Sequence, residues 1–362
     1  MRKIKFLFLL ISTLTLLNCS SNDNSGNSPN VPEKIFEGDV TLNTQIQVDD
    51  FGSQNYTKIN GSLKIIGYAS MQKITNLNSL STLNYIRDHF WIQTNSELTN
   101  LNGLNNIKTV GYRLSIYKND LLSDISALNN INSIGTDLVI EENNSLNNLN
   151  GLNSITSIIS FTLKNNLILS NLNGLNNLKK IESNLYITSN PQITNIDFLN
   201  NLNSNSIFSG YILIINCANL TNLNGLNKVV KAGYINISSN PKITDFNGLN
   251  NITMLTSYDT NLHHSLHITY NNMLTSMQGL NNITYCSGEI SISNNPQLTT
   301  LNGLNNISSA GDEITIKDNL QLRNFCALQT LLTLHNFSPY YGVSGNYYNP
   351  TQQNIISGNC SI

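Results

Sequence analysis

Charge is what this sequence has least of. Only 11% of its 362 residues are Asp, Glu, Lys or Arg, against roughly a quarter in ordinary soluble domains. Nineteen basic residues face 21 acidic ones, a net charge of −2, so no general attraction draws the chain to nucleic acid or to an anionic membrane surface. Catalytic signatures are missing too. No CxxC, HExxH, GxSxG, phosphate-loop or calcium-loop pattern occurs, which removes the common metal, hydrolase and nucleotide sites. The neighbouring carboxylates Asp49 and Asp50, and Glu141 and Glu142, would point to opposite faces of a strand, so neither pair makes an acid–base couple. The expectation is a non-enzyme with no cofactor and no metal; carboxylates converging from separate coils are the one catalytic arrangement left open. What is present is 40% hydrophobic residues, enough for a sizeable core, and 66 asparagines that take the place of the missing charge.

The amino terminus reads as an export signal, with Arg2, Lys3 and Lys5 preceding an apolar stretch from Phe6 to Leu17. That stretch is short of the roughly 20 residues that span a bilayer as a helix. Leu16, Leu17, Asn18 and Cys19 resemble the lipobox of bacterial lipoproteins, in which the cysteine is acylated and becomes the first mature residue; Asn18 stands where a small residue is usual. The resemblance implies a signal peptide over 1–18, lipidation at Cys19, and attachment to the membrane through the lipid alone. Plain secretory cleavage and an uncleaved anchor are the alternatives. Residues 19–35, rich in Ser and Asn, read as a flexible tether.

An internal repeat dominates the rest. Equivalent leucines fall at Leu80, Leu104, Leu128, Leu152, Leu175, Leu199, Leu226, Leu249, Leu280, Leu304 and Leu328, a period of about 24. One unit reads LxIxxNxxLxxLxGLxxIxxIG, as in Leu138, Ile140, Asn143, Leu146, Leu149, Gly151, Leu152, Ile155 and Ile158. The LxI portion alternates apolar and polar residues, a strand signal. The other apolar positions recur every third residue, which suits tight turns and short 3₁₀ pieces around a coil. A single coil buries too little to offset its chain entropy, so stability must come from stacking, with equivalent strands forming one parallel sheet. Asn95, Asn119, Asn143, Asn166, Asn190, Asn240, Asn271, Asn295 and Asn319 share one position, with Cys217 in their place in one unit. Stacked in register they form a ladder that satisfies backbone groups in the turn. The Asn residues of the LNGLNN turns are expected to take left-handed backbone and to cap their own chain.

The LxIxxN core resembles the leucine-rich repeat, and GLNNIxxIG leading into the next strand is similar to the receptor L-domain, over roughly 59–328. The resemblance implies a right-handed, mainly parallel all-β solenoid of about eleven coils. A curved α/β leucine-rich-repeat horseshoe is the alternative. It further implies a non-catalytic recognition scaffold on a surface-exposed outer-membrane lipoprotein, and it transfers no functional residue. Residues 36–58 are expected to cap the first coil and 329–362 the last, because a bare end exposes core and an unpaired strand edge. Cys326 and Cys360 border the second cap and form the expected disulfide of an exported protein; Cys217 and Cys286 lie too many coils apart to pair and read as buried thiols.

With Leu and Ile of LxI inward, Lys64, Trp91, Ser115, Val139, Thr162, Tyr186, Leu213, Asn236, His267, Ser291 and Thr315 line up outward, flanked by Tyr117, Tyr211, Ile215 and Tyr234. The candidate contact residues are Trp91, Tyr117, Tyr186, Tyr211, Leu213, Ile215 and Tyr234, of which all but the first two fall on three neighbouring rungs. Protein, glycan or a second copy of the chain is the partner class. Asp259, His263, His264 and His267 fall in the longest unit; they read as a polar surface loop, metal ligation being the sharper alternative.

Overall fold

The computed structural model describes residues 32–67, 72–256, 264–311, 313–337 and 340–362, the side chain of His264 excepted. The signal segment, Cys19, most of the tether, Asp259 and His263 lie outside the described residues. Glu33–Ile362 forms one compact unit.

The strand Asp137–Glu141 shows how a coil is made. Leu138 and Ile140 point inward and are fully buried, while Asp137, Val139 and Glu141 face outward, the period-two alternation that LxI encodes. It pairs in parallel with Leu114–Tyr117 and with Ser160–Lys164, placing Leu138 between Leu114 and Phe161, and Val139 between Ser115 and Thr162. Repeating this step links thirteen strands of the described residues, from Val40–Leu42 to Tyr341–Ser344. A second strip of short parallel strands includes Tyr85–Ile86, Thr109–Val110 and Ser133–Ile134. Both strips are contained in the ten-residue strands Ser206–Ile215 and Val229–Ser238.

Between strands the LNGL segments close 3₁₀ turns such as Asn173–Leu175 and Asn224–Leu226. Leu146, Leu149, Leu152 and Ile155 all reach the core with no exposed surface. Glycine is required here by proximity: a Cβ on Gly174 would sit 1.7 Å from the carbonyl oxygen of Leu149 in the preceding coil. The α-helices of the described residues, Gln45–Ser53, Gln329–Leu334 and Gln352–Ile356, lie only at the two ends. The α/β horseshoe expected as the alternative carries short α-helices along its convex side, and among the described residues the coils between the ends have none, so the chain is a parallel β-solenoid.

The asparagine column runs through the core as a ladder. Asn143 accepts at Oδ1 from the Asn119 amide at 3.2 Å, and its own amide donates to Asn166 Oδ1 at 3.1 Å. Its Nδ2 donates to Ile116 O and Glu141 O at 2.9 and 3.0 Å. The residue before each ladder position has positive φ: Thr94, Lys118, Glu142, Asn165, Ser189, Asn216, Ser239, Tyr270, Asn294 and Asp318 all lie between 53° and 57°. This corrects the expectation for the LNGLNN turns, whose asparagines keep φ negative. The asparagine just before the LNGL segment does cap its own chain, in an Asx turn, as where Asn148 Oδ1 accepts from the Asn150 amide at 2.9 Å. The last asparagine of LNGLNN reaches the neighbouring coil, as where Asn177 Nδ2 donates to Asn153 O at 2.8 Å.

The two ends depart from the expected boundaries. Ile35, read as the end of the tether, already pairs with Lys58, and Val40 pairs with Leu63, so the segment read as a cap is itself a coil, closed by the helix Gln45–Ser53. The tail read as aperiodic adds a rung as well: Tyr341–Ser344 pairs with Ile314–Lys317, and Asn346 Oδ1 accepts from the Asn319 amide at 3.0 Å. The Tyr-x-Val-x-x-Asn spacing of 341–346 is the repeat motif with a tyrosine in the leucine position, which hides it from a search for leucines. Cys326 and Cys360 are disulfide-bonded across this segment. Cys217 and Cys286 are buried free thiols, pushed up by burial from an ordinary value of 9 to about 11 and about 12.

Candidate functional site

Parallel register brings the middle outward residues into one column in the order read from the sequence: Lys64, Trp91, Ser115, Val139, Thr162, Tyr186, Leu213, Asn236, His267, Ser291 and Thr315. The face they form divides into three stretches. At its start, Lys64 Nζ lies 4.8 Å from the Trp91 ring centroid, and the His89 ring stacks on the same indole at 4.7 Å. Ion pairs then bridge adjacent rungs, Arg113 to Asp137 at 2.6 Å and Lys164 to Glu141 at 2.7 Å. Both pairs are partly exposed and add little to stability.

In the centre Tyr186, Tyr211, Leu213, Ile215 and Tyr234 come together, all half-buried. Tyr186 and Tyr211 are tilted rings with centroids 6.3 Å apart, and Tyr211 meets Tyr234 edge-on at 6.1 Å, separations at which aromatic pairs attract. Burial raises both the Tyr186 and the Tyr234 phenols. Tyr234 rises to about 12, against the opposing effect of a hydrogen bond from Asn236. Beyond them the face is polar: Ser238 Oγ bonds Asn236 Oδ1, and Thr269 Oγ1 donates to Ser238 Oγ at 3.0 Å.

Trp91 and Tyr117 do not join the central cluster. They lie on the rungs Phe90–Gln93 and Leu114–Tyr117, near the ionic stretch, and Trp91 is stacked upon by its neighbours. Sequence reasoning also missed an apolar group on the edge that follows the ladder, where Leu121, Leu167 and Ile168 are exposed. Its signal was available: Leu167 and Ile168 are apolar at positions that the repeat consensus leaves unspecified. Among the described residues no group of three His, Cys, Asp or Glu side chains could hold a metal ion, and no helix is long and apolar enough to cross a membrane.

No protein-family model and no curated protein matches the sequence. Among solved structures the chain is similar to a leucine-rich-repeat protein of Leptospira interrogans, at 14% identity and a TM-score of 0.25, over 78% of this chain and 89% of that one.

Proposed function

We propose that this repeat scaffold is a non-catalytic recognition or adhesion module, displayed on the cell envelope as a lipoprotein and contacting a protein or glycan through the centre of its sheet face. The observation that carries the reading is the meeting of Tyr186, Tyr211, Leu213, Ile215 and Tyr234 on three adjacent rungs of a regular scaffold. Aromatic and aliphatic side chains gathered on a rigid surface are the usual anchors of recognition. The lipid anchor rests on the sequence around Cys19, and palmitate labelling that persists in Cys19→Ala would refute it. For the face, the double change Tyr186→Ser and Leu213→Ser should abolish binding to intact partner cells or extracts and leave stability within about 1 kcal/mol. A purified protein that sediments as a dimer, and becomes monomeric on the same double change, would replace recognition with self-association.

A further inference from the structure

We infer that the ligand of the sheet face is a neutral glycan; this rests on the recognition reading and narrows it to one class of partner. The basis is a window in the charge pattern. At the outward positions of the LxI portion of four consecutive rungs, from Leu185–Thr188 to the end of His264–Thr269, no Asp, Glu, Lys or Arg occurs; Lys231 belongs to the second strip. The face turns ionic on both sides of this window, with the Glu141–Lys164 pair before it and Glu289, Glu313 and Lys317 after it.

What fills the window is matched to a polyol. The tyrosine strip offers ring surface to the C–H faces of a sugar, in the same way that it packs ring against ring. Around it stand groups that both donate and accept, as sugar hydroxyls do. The hydroxyls of Thr162, beside Tyr186 on the preceding rung at the edge of the window, and of Thr188, two residues along the same strand as Tyr186, have no hydrogen bond among the described residues. On the far side Asn236, Ser238 and Thr269 are already joined in a relay, so a ligand hydroxyl added to it would extend the chain of bonds. An anionic ligand would find no counter-charge in the window. An apolar peptide surface would bury the threonine hydroxyls without partners, at the cost of their hydration.

The test uses the full-length protein in mild detergent, run through native gels containing one polysaccharide each: xylan, mannan, a β-glucan or an α-glucan as neutral probes, polygalacturonate or heparin as anionic ones. At least one neutral polysaccharide should retard the protein while the anionic ones do not. Tyr186→Ala should then weaken that retardation at least tenfold, and Thr188→Ala, which removes only a hydroxyl and a methyl from the surface, should weaken it several-fold, with urea midpoints unchanged. Retardation by the anionic probes alone, by none of the neutral ones, or by a neutral one indifferent to both changes would overturn the assignment. If neutral polysaccharides fail while a protein partner is still lost on Tyr186→Ser and Leu213→Ser, the ligand class is wrong and the recognition reading stands. If the face proves to pair two copies, both fall.

Discussion

Truncating one rung of the asparagine ladder should cost far more than an asparagine usually does. Asn166 is fully buried, donates through Nδ2 to Ile140 O and Lys164 O at 3.0 Å each, and accepts at Oδ1 from the Asn143 amide at 3.1 Å. Asn166→Ala strands at least the Asn143 N–H and the Ile140 carbonyl in the dry interior. An unsatisfied buried group costs about 1–3 kcal/mol, so the expected loss is about 4 kcal/mol, read as a lower urea midpoint at unchanged slope. The surface asparagine Asn106, whose Nδ2 reaches Ser81 O at 2.7 Å in an exposed position, supplies the control, and Asn106→Ala should cost under about 1 kcal/mol. The chain contains its own intermediate case. Cys217 occupies a ladder position, its Sγ facing Ile187 O at 3.7 Å and Ile215 O at 3.6 Å and taking a bond from the Asn190 amide. Asn166→Cys should therefore fall between wild type and alanine, and Cys217→Asn, which restores full-strength bonds, should stabilise by about 1 kcal/mol. Equal effects of Asn166→Ala and Asn106→Ala would refute the account of the ladder.

Gly174→Val, which drives a Cβ against the Leu149 carbonyl, should destabilise by more than about 3 kcal/mol, measurable by thermal unfolding; a neutral outcome would mean the coils are not packed this closely. Cys326→Ser or reduction of the disulfide should lower stability by about 2–4 kcal/mol, and hydrogen exchange should place the new opening in the last coils; uniform loosening of the whole chain would argue against a terminal clamp. Stability should also fall in alkali. The raised folded values of Cys217, Cys286 and Tyr234 mean that the unfolded chain ionises first, so stability is complete below pH 9 and declines as pH rises to about 12, by about 1 kcal/mol per pH unit for each group in its own window. Cys286→Ala should flatten the slope, and a flat profile from pH 8 to 11 would contradict the burial of these groups.

Much of the fold was legible because a repeat states the same instruction many times. Leu138 and Ile140 inward with Val139 outward, read once, set the face of every rung, and the Asn column followed from spacing alone. The left-handed position could not be read, since Thr94, Lys118, Glu142 and Tyr270 share no side-chain chemistry; the turn geometry is imposed by the ladder residue that follows, so the sequence there is free to vary. The terminal rungs were missed for a related reason. Phe36, Val40 and Tyr341 fill repeat positions with residues outside the leucine pattern, and the pairing that makes them strands is contributed by the neighbouring coil. At the candidate site, register placed Tyr186 and Leu213 side by side, but neither the half-burial of the tyrosines nor the covering of Trp91 by Lys64 and His89 is encoded in spacing.

A glycine against a carbonyl of the coil before it in most turns, an asparagine bonded to the next coil in nearly every unit, and inward aliphatic side chains at matching positions make most junctions in the body similar. A stretch of about 24 residues can then be gained or lost as a block, since the cut surfaces that remain still match each other. Near-identical LNGLNN segments are the natural points for unequal recombination between gene copies. The number of coils is thus a heritable length setting, adjustable in whole steps while the two end segments stay fixed, and lineages could differ in reach while sharing one scaffold.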